Sequence, residues 1–274
     1  MIFRYPGGKS RVASSLVDIM ENDIISQGKF LDAFVGGGAV LLEVARRHPN
    51  VKLWANDKDP NMAAFWSMVA GKGDADVLIN MLKKTPTVPL FLRLRNTTPE
   101  TIEERAYRAI FFNRTTFSGI STASPIGGYH DQTPRKYSNG KHPIECRYNK
   151  RVLIDNFLEM RDSLSGRLFA TGLDIQLVLE QADGWAIYLD PPYFEKGGML
   201  YAEKFGEEDH MRLAEALQSM YNWTLSYDNH PAILALYDEI ASIDTGASVR
   251  YSIQGVKDAW RSAAELIIRP FPIK

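Results

Sequence analysis

The chain has 274 residues, 45% of them hydrophobic and 24% charged, a length and composition that suit one large α/β domain or two modest domains sharing a core. Its 32 Lys and Arg nearly cancel 33 Asp and Glu, so a net charge of -1 provides no global attraction to polyanions or membranes. A single cysteine, Cys146, excludes an internal disulfide, and no run of 18 apolar residues offers a membrane span. The start, Met1 to Ser10, lacks the apolar core of a signal peptide, and the expectation is a soluble chain of the cytoplasm.

Lys29 to Phe34 reads as a first strand, Gly36 to Gly38 as a tight turn, and Ala39 to Arg47 as a helix packed on a sheet. Val51 to Ala55 reads as a second strand, ending in Asn56 and Asp57. Helical patterns follow near 61–70, 74–83 and 99–112, the last opened by Thr98, Pro99 and Glu100. From Ser118 to Lys150 the chain is rich in Gly, Pro, Ser, Thr and Asn, which predicts a long loop. Residues 130–151 hold six Lys or Arg against two acids. Further strands are expected at Arg167 to Thr171, Trp185 to Leu189, Trp223 to Tyr227, Arg250 to Ile253 and Glu265 to Arg269, separated by helices around 175–181, 208–219 and 231–241. Alternating strands and helices at both ends predict an α/β fold with a mostly parallel sheet, interrupted by a mainly helical insert over 61–150.

Glycines where a strand meets a helix let a ligand approach the backbone without meeting a Cβ atom. Asp57 lies 21 residues after Gly36, where a carboxylate can bind ribose hydroxyls. The bland alternative is a tight turn followed by a helix cap. NAD, FAD and S-adenosylmethionine all remain open, although Val40 and Leu41 after Ala39 break the full dinucleotide glycine order and favour a cofactor without a pyrophosphate.

Asp190, Pro191, Pro192 and Tyr193 directly follow the apolar run Trp185 to Leu189. Two prolines force the strand out of the sheet and fix the neighbouring carboxylate and ring. Carboxylate, proline carbonyl and aromatic face together suit a planar ring with an exocyclic amine, of which adenine is one.

With these residues in view, the chain resembles the Dam-type DNA adenine-N6 methyltransferases. The matches are Tyr5-Pro6-Gly7-Gly8-Lys9, Asp32 to Gly38, Asp57, Asp190 to Tyr193, and the segment Asn113 to Gly119 with Gly127 and Gly128. Tyr5 stands where many members carry tryptophan. The resemblance implies a Rossmann-like methyltransferase fold, residues 1–60 and 151–274 as the catalytic domain, and 61–150 as a target-recognition insert. It implies S-adenosylmethionine bound by Tyr5, Lys9, Asp32, Phe34, Gly36, Asp57, Asp174 and Asp190. It also implies catalysis by Asp190, Pro191, Pro192 and Tyr193 on an adenine flipped out of double-stranded DNA, and DNA contacts by Arg114, Arg135, Lys136, Lys141 and Arg147.

Plain alternatives accompany several of these positions: an N-cap for Asp174, a solvated helix-start lysine for Lys9, and a solvated loop for the basic segment. The five His and one Cys show no metal-ligand spacing. No membrane and no obligatory protein partner are expected, and the resemblance places the enzyme on DNA in a bacterial or phage-infected cell. The competing functions are a methyltransferase of the same fold acting on RNA or a protein amide, and an idle nucleotide-binding module. The intact Asp190 to Tyr193 argues against the latter.

Overall fold

The computed structural model describes residues 2–4, 9–129, 142–194, 205–250 and 262–271. Among these are seven strands and ten α-helices, and no helix is long and apolar enough to cross a membrane. Two compact units emerge: Gly7–Lys58 with Leu173–Lys274, and Asp59–Gly172 with the N-terminal segment up to residue 6.

The first unit holds the sheet. β1 (Lys29–Asp32), β2 (Lys52–Asn56), β4 (Ala186–Leu189), β5 (Trp223–Asp228), β6 (Ala241–Arg250) and β7 (Ser262–Pro270) lie in the order β2-β1-β4-β5-β7-β6. β1 pairs in parallel with β2 and β4, and β4 with β5, while β7 runs antiparallel to β5 and β6. The mostly parallel order, with helices between the strands, is Rossmann-like. β1 and β4 are buried along nearly their whole length, which is why they read as short apolar runs in the sequence.

The helices of this unit are α1 (Ala13–Gln27), α2 (Ala39–Arg47), α8 (Ile175–Glu180), α9 (Glu207–Leu217) and α10 (Pro231–Tyr237). One core layer joins Leu31, Ile187, Leu189, Trp223, Leu225 and Tyr227 of the strands to Val178 of α8, Leu213 and Leu217 of α9, and Ile233 and Tyr237 of α10. α1 and α2 also pack on the sheet, through β1 and, for α1, β4. The order reverses between β1 and β4, and at such a switch point the carboxyl ends of the strands open a crevice for ligands.

Backbone bonds lock that edge. Ala33 N–H donates to the Tyr188 carbonyl at 2.9 Å, and Val35 N–H donates to the Asn56 carbonyl at 2.8 Å. Buried Asn56 supplies a second tie. Its Nδ2 donates to the carbonyls of Ala33 and Leu173 at 3.1 and 3.2 Å, and its Oδ1 accepts from Leu173 N–H at 2.9 Å. One amide side chain thus joins the ends of β1 and β2 to the segment entering α8.

The second unit is helical, with α3 (Pro60–Val69), α4 (Ala75–Leu82), α5 (Val88–Asn96), α6 (Ile102–Thr115), α7 (Lys150–Leu164) and the strand β3 (Leu168–Thr171). It runs on through α7 and β3 to Gly172, whereas the expected boundary lay after 150. The reason is packing. α7 buries Leu153, Phe157, Met160 and Leu164, and Phe157 meets Phe65 of α3 at 6.5 Å between ring centroids. α6 is packed almost all round and has Phe111 and Phe112 against Phe91 of α5.

Several elements differ from their sequence expectations. α1, α5 and α7 are helices that composition alone does not single out. α6 starts later than expected because Thr101, not Thr98, is its N-cap, accepting from Glu104 N–H. The helix expected over 231–241 stops at Tyr237, and Arg250, the first residue of the strand expected at 250–253, closes β6 (Ala241–Arg250), which pairs antiparallel with β7. Residues 251–253 lie outside the described residues.

The Asn56 tie leads to a stability prediction. Asn56→Ala leaves two carbonyls and one N–H buried without this partner, so denaturant unfolding should show a loss of about 3 kcal/mol. A midpoint equal to wild type would remove Asn56 as the tie.

Candidate active site

β1 ends in Asp32, and the chain then turns through Gly36 and Gly38, both at positive φ (43° and 70°), into the start of α2. That conformation favours glycine, and the Gly38 N–H closes the turn by donating to the Val35 carbonyl at 2.6 Å. Gly36 N–H donates to Asp57 Oδ2 at 3.0 Å, so the carboxylate expected to meet a ribose is already docked against the turn. Phe34 is half-buried beside this turn and touches Phe205 edge-on at 5.8 Å.

Asp32 is the most unusual carboxylate. Its side chain is buried, and Oδ1 has no hydrogen-bond partner among the described residues. Burial first, then the charges of Asp190 and Asp57, push its pKa well above the usual carboxylate range, while the N–H groups of Leu41 and Phe34 pull the other way. A buried carboxylate oxygen without a donor is a place that a cationic or N–H-bearing ligand group can complete.

β4 delivers Asp190, and the two prolines carry the chain out to Tyr193. Beneath them lies Lys9, only 5% exposed. Its Nζ donates to Asp190 Oδ1 at 2.8 Å and to the Tyr193 hydroxyl at 2.7 Å, and lies 2.6 Å from Glu265 Oε1. The Tyr193 hydroxyl in turn donates to Glu265 Oε1 at 2.7 Å. Burial alone would pull the Lys9 pKa down; Asp190, Tyr188, Tyr193 and Glu265 hold it well above its usual value. Asp190 itself is pushed up to about 6, by burial and by Glu265, against the opposing pull of Lys9.

The chain beyond Tyr193 is pinned as well. Phe194 N–H donates to Asp228 Oδ1 at 3.3 Å, and its ring stacks on His230 at 4.5 Å. His210 bonds the Tyr227 hydroxyl, and burial drops its pKa to about 4, so the ring is neutral at physiological pH.

A family model described as D12 class N6 adenine-specific DNA methyltransferase matches residues 5–251. The chain belongs to this family. It is also similar to the type II methyltransferase M.MjaIII of Methanocaldococcus jannaschii, at 23% identity over 77% of each chain. A second relative is the type II methyltransferase M.CviBI of Paramecium bursaria Chlorella virus NC1A, at 22% identity over 81% of this chain and 79% of the relative.

For this DNA methyltransferase, the structure brings Lys9, Asp32, Phe34, Gly36, Asp57 and Asp190 to Tyr193 together at the carboxyl edge of the sheet. Asp174 caps α8 by accepting from Gln176 N–H at 3.2 Å and pairs with Lys58 at 2.9 Å. Tyr5, Arg135, Lys136 and Lys141 lie outside the described residues. Arg147 is exposed. Arg114, in contrast, turns inward: its Nε and Nη2 both donate to the Ile2 carbonyl, and burial, with Arg4 nearby, lowers its pKa to about 10. Asn113 acts in the same way. It clips the Arg4 backbone by accepting from its N–H at 2.9 Å and donating to its carbonyl at 2.8 Å. Gly119 completes the clip, since a Cβ there would stand 2.4 Å from the Arg4 carbonyl oxygen. Much of the Asn113 to Gly119 segment thus holds residues 2–4.

Glu265 is the site residue that sequence reasoning missed. Its signal was an isolated carboxylate in the apolar run Ala263 to Ile268.

The ionised Asp190 is the stronger acceptor for an amine N–H, and protonation turns one of its oxygens into a donor. The profile of kcat/KM for the methyl donor should therefore fall below pH of about 6, as Asp190 protonates. An acid limb near 4, the ordinary carboxylate range, would contradict the burial and charge environment described here.

Proposed function

We propose that the methyltransferase takes S-adenosylmethionine as its donor and acts on an adenine flipped out of double-stranded DNA. The observation that carries this reading is the convergence on one sheet edge of a buried, incompletely satisfied Asp32 and a Lys9-anchored Asp190. The donor set fits the cofactor: the unpartnered Asp32 Oδ1 suits its α-ammonium, the glycine turn gives backbone access, and Asp57 at the end of β2 suits ribose hydroxyls. When bound, S-adenosylmethionine supplies an electrophilic methyl group on a sulfonium.

The chain's own residues prepare the acceptor. The N6 lone pair of adenine is delocalised into the ring, which makes the amine a weak nucleophile. The Asp190 carboxylate and the Pro191 carbonyl accept its two N–H bonds and favour a tetrahedral, electron-rich nitrogen. With one Asp190 oxygen committed to Lys9, the carboxylate is held in a fixed orientation towards the amine. Tyr193, its hydroxyl anchored, offers its ring for stacking on the extruded base. The helical unit is the target-recognition part in this reading, and the basic residues Arg135, Lys136, Lys141 and Arg147 meet phosphates.

Labelled cofactor incubated in parallel with duplex DNA, RNA and protein tests the reading. Transfer to duplex DNA is expected, with Asp190→Ala falling to background while its circular dichroism stays that of wild type. Transfer to RNA or protein alone, or an Asp190→Ala variant within a few-fold of wild type, would sink it.

Asp57→Ala should raise the dissociation constant of S-adenosylmethionine more than it slows transfer at saturating cofactor, because a ribose contact is present in ground and transition states alike. Calorimetry showing unchanged affinity would remove Asp57 from the site.

A further inference from the structure

Glu265 lies on β7, the strand inserted antiparallel beside β5, and its side chain is only 2% exposed. Placing a carboxylate in an apolar strand costs desolvation, and a buried ion pair is seldom retained for stability, because apolar side chains of similar volume do as well. What Glu265 adds is geometric. One oxygen, Oε1, is 2.6 Å from Lys9 Nζ and accepts from the Tyr193 hydroxyl at 2.7 Å, while Lys9 reaches both Tyr193 and Asp190. The ammonium's three N–H bonds are matched by three acceptors from two parts of the sheet edge: the end of β4 and β7. Without Glu265, Lys9 keeps one carboxylate among the described residues, Asp190, and the Tyr193 hydroxyl loses Glu265 as an acceptor.

We propose that Glu265 is a positioning residue for methyl transfer, holding Lys9 and Tyr193 so that the Asp190 carboxylate and the Tyr193 ring meet the target base in a single orientation. The proposal rests on the reading of Asp190 to Tyr193 as the pocket for that base. Glu265 acts through its neighbours and needs no contact with substrate or cofactor.

Glu265→Gln keeps volume and an acceptor oxygen but removes the charge, and it can be tested in the full chain. Single-turnover transfer to duplex DNA at saturating cofactor should fall about ten- to a hundredfold, as expected for the loss of a buried charged partner. Affinity for S-adenosylmethionine by calorimetry should stay within about threefold. The acid limb of the single-turnover rate should also move to lower pH, because the Glu265 charge raises the Asp190 pKa in the wild type. Among the described residues, the other groups facing Asp190 are Lys9, Asp32 of β1, Tyr188 of β4 and Tyr227 of β5, and all of them remain in the variant.

An unchanged rate with an unmoved acid limb overturns the proposal, even if the melting temperature drops. Should Glu265→Gln fail to fold, Glu265→Asp keeps the charge and withdraws it by one methylene from Lys9 and Tyr193. A lower single-turnover rate with unchanged cofactor affinity then supports the positioning role, and a wild-type rate overturns it. The two readings separate cleanly: a wild-type chain that transfers no methyl to DNA defeats the proposed function and this inference with it, whereas an active wild type with an ordinary Glu265→Gln defeats only the inference.

Discussion

A buried ammonium must be surrounded by acceptors, because an unpaired charge out of water costs several kcal/mol. Lys9 meets that demand by drawing Asp190, Tyr193 and Glu265 to one nitrogen, and the geometry of the edge follows from it. The double proline keeps the chain from continuing as strand, so Asp190 and Tyr193 can swing onto the lysine. Glu265 then sets where the lysine sits. The carboxylate is held ionisable yet raised towards neutrality, a state suited to accepting hydrogen bonds from a weakly nucleophilic amine.

The other half of the edge obeys a backbone constraint. A chain leaving β1 must turn sharply into α2, and two glycines at positive φ achieve this while Gly36 N–H reaches Asp57. Asn56, one residue earlier, welds the ends of β1 and β2 to Leu173 with three hydrogen bonds. Asp57 is therefore presented from a fixed point. At this edge, Asp32 Oδ1 has no hydrogen-bond partner among the described residues, and an unsatisfied buried oxygen in a crevice suits a ligand-binding edge.

The parts legible in the sequence were those dictated by local rules. Parallel strands buried on both faces are apolar runs, so β1, β2, β4 and β5 stood out, and a glycine turn or a proline pair has few conformations to choose from. The resemblance carried by Asp32 to Gly38 and Asp190 to Tyr193 followed from the same residues. Long-range partners were not legible. Glu265 is an acid in a strand until the fold sets it against Lys9, and Asn56 is a turn residue until Leu173 arrives from 117 positions away. Asp174 and Arg114 show the converse. Their types suited ligand and phosphate, but one caps α8 and pairs with Lys58, and the other grips the Ile2 carbonyl, because nearby backbone groups needed partners. Helix α7 hid behind the composition of the loop before it, although its buried residues keep a helical spacing.

What distinguishes this edge is that it acts directly on the exocyclic nitrogen of adenine rather than on a ring nitrogen. The most direct measurement uses duplex DNA whose adenines carry nitrogen-15 at N6, methylated with a donor bearing a carbon-13 methyl group, then digested to nucleosides for magnetic resonance. Direct attack by N6 should give a one-bond carbon-13 to nitrogen-15 coupling in N6-methyladenine. A methyl carbon bound to unlabelled nitrogen, whether in N1-methyladenine or in a rearranged product, would contradict it.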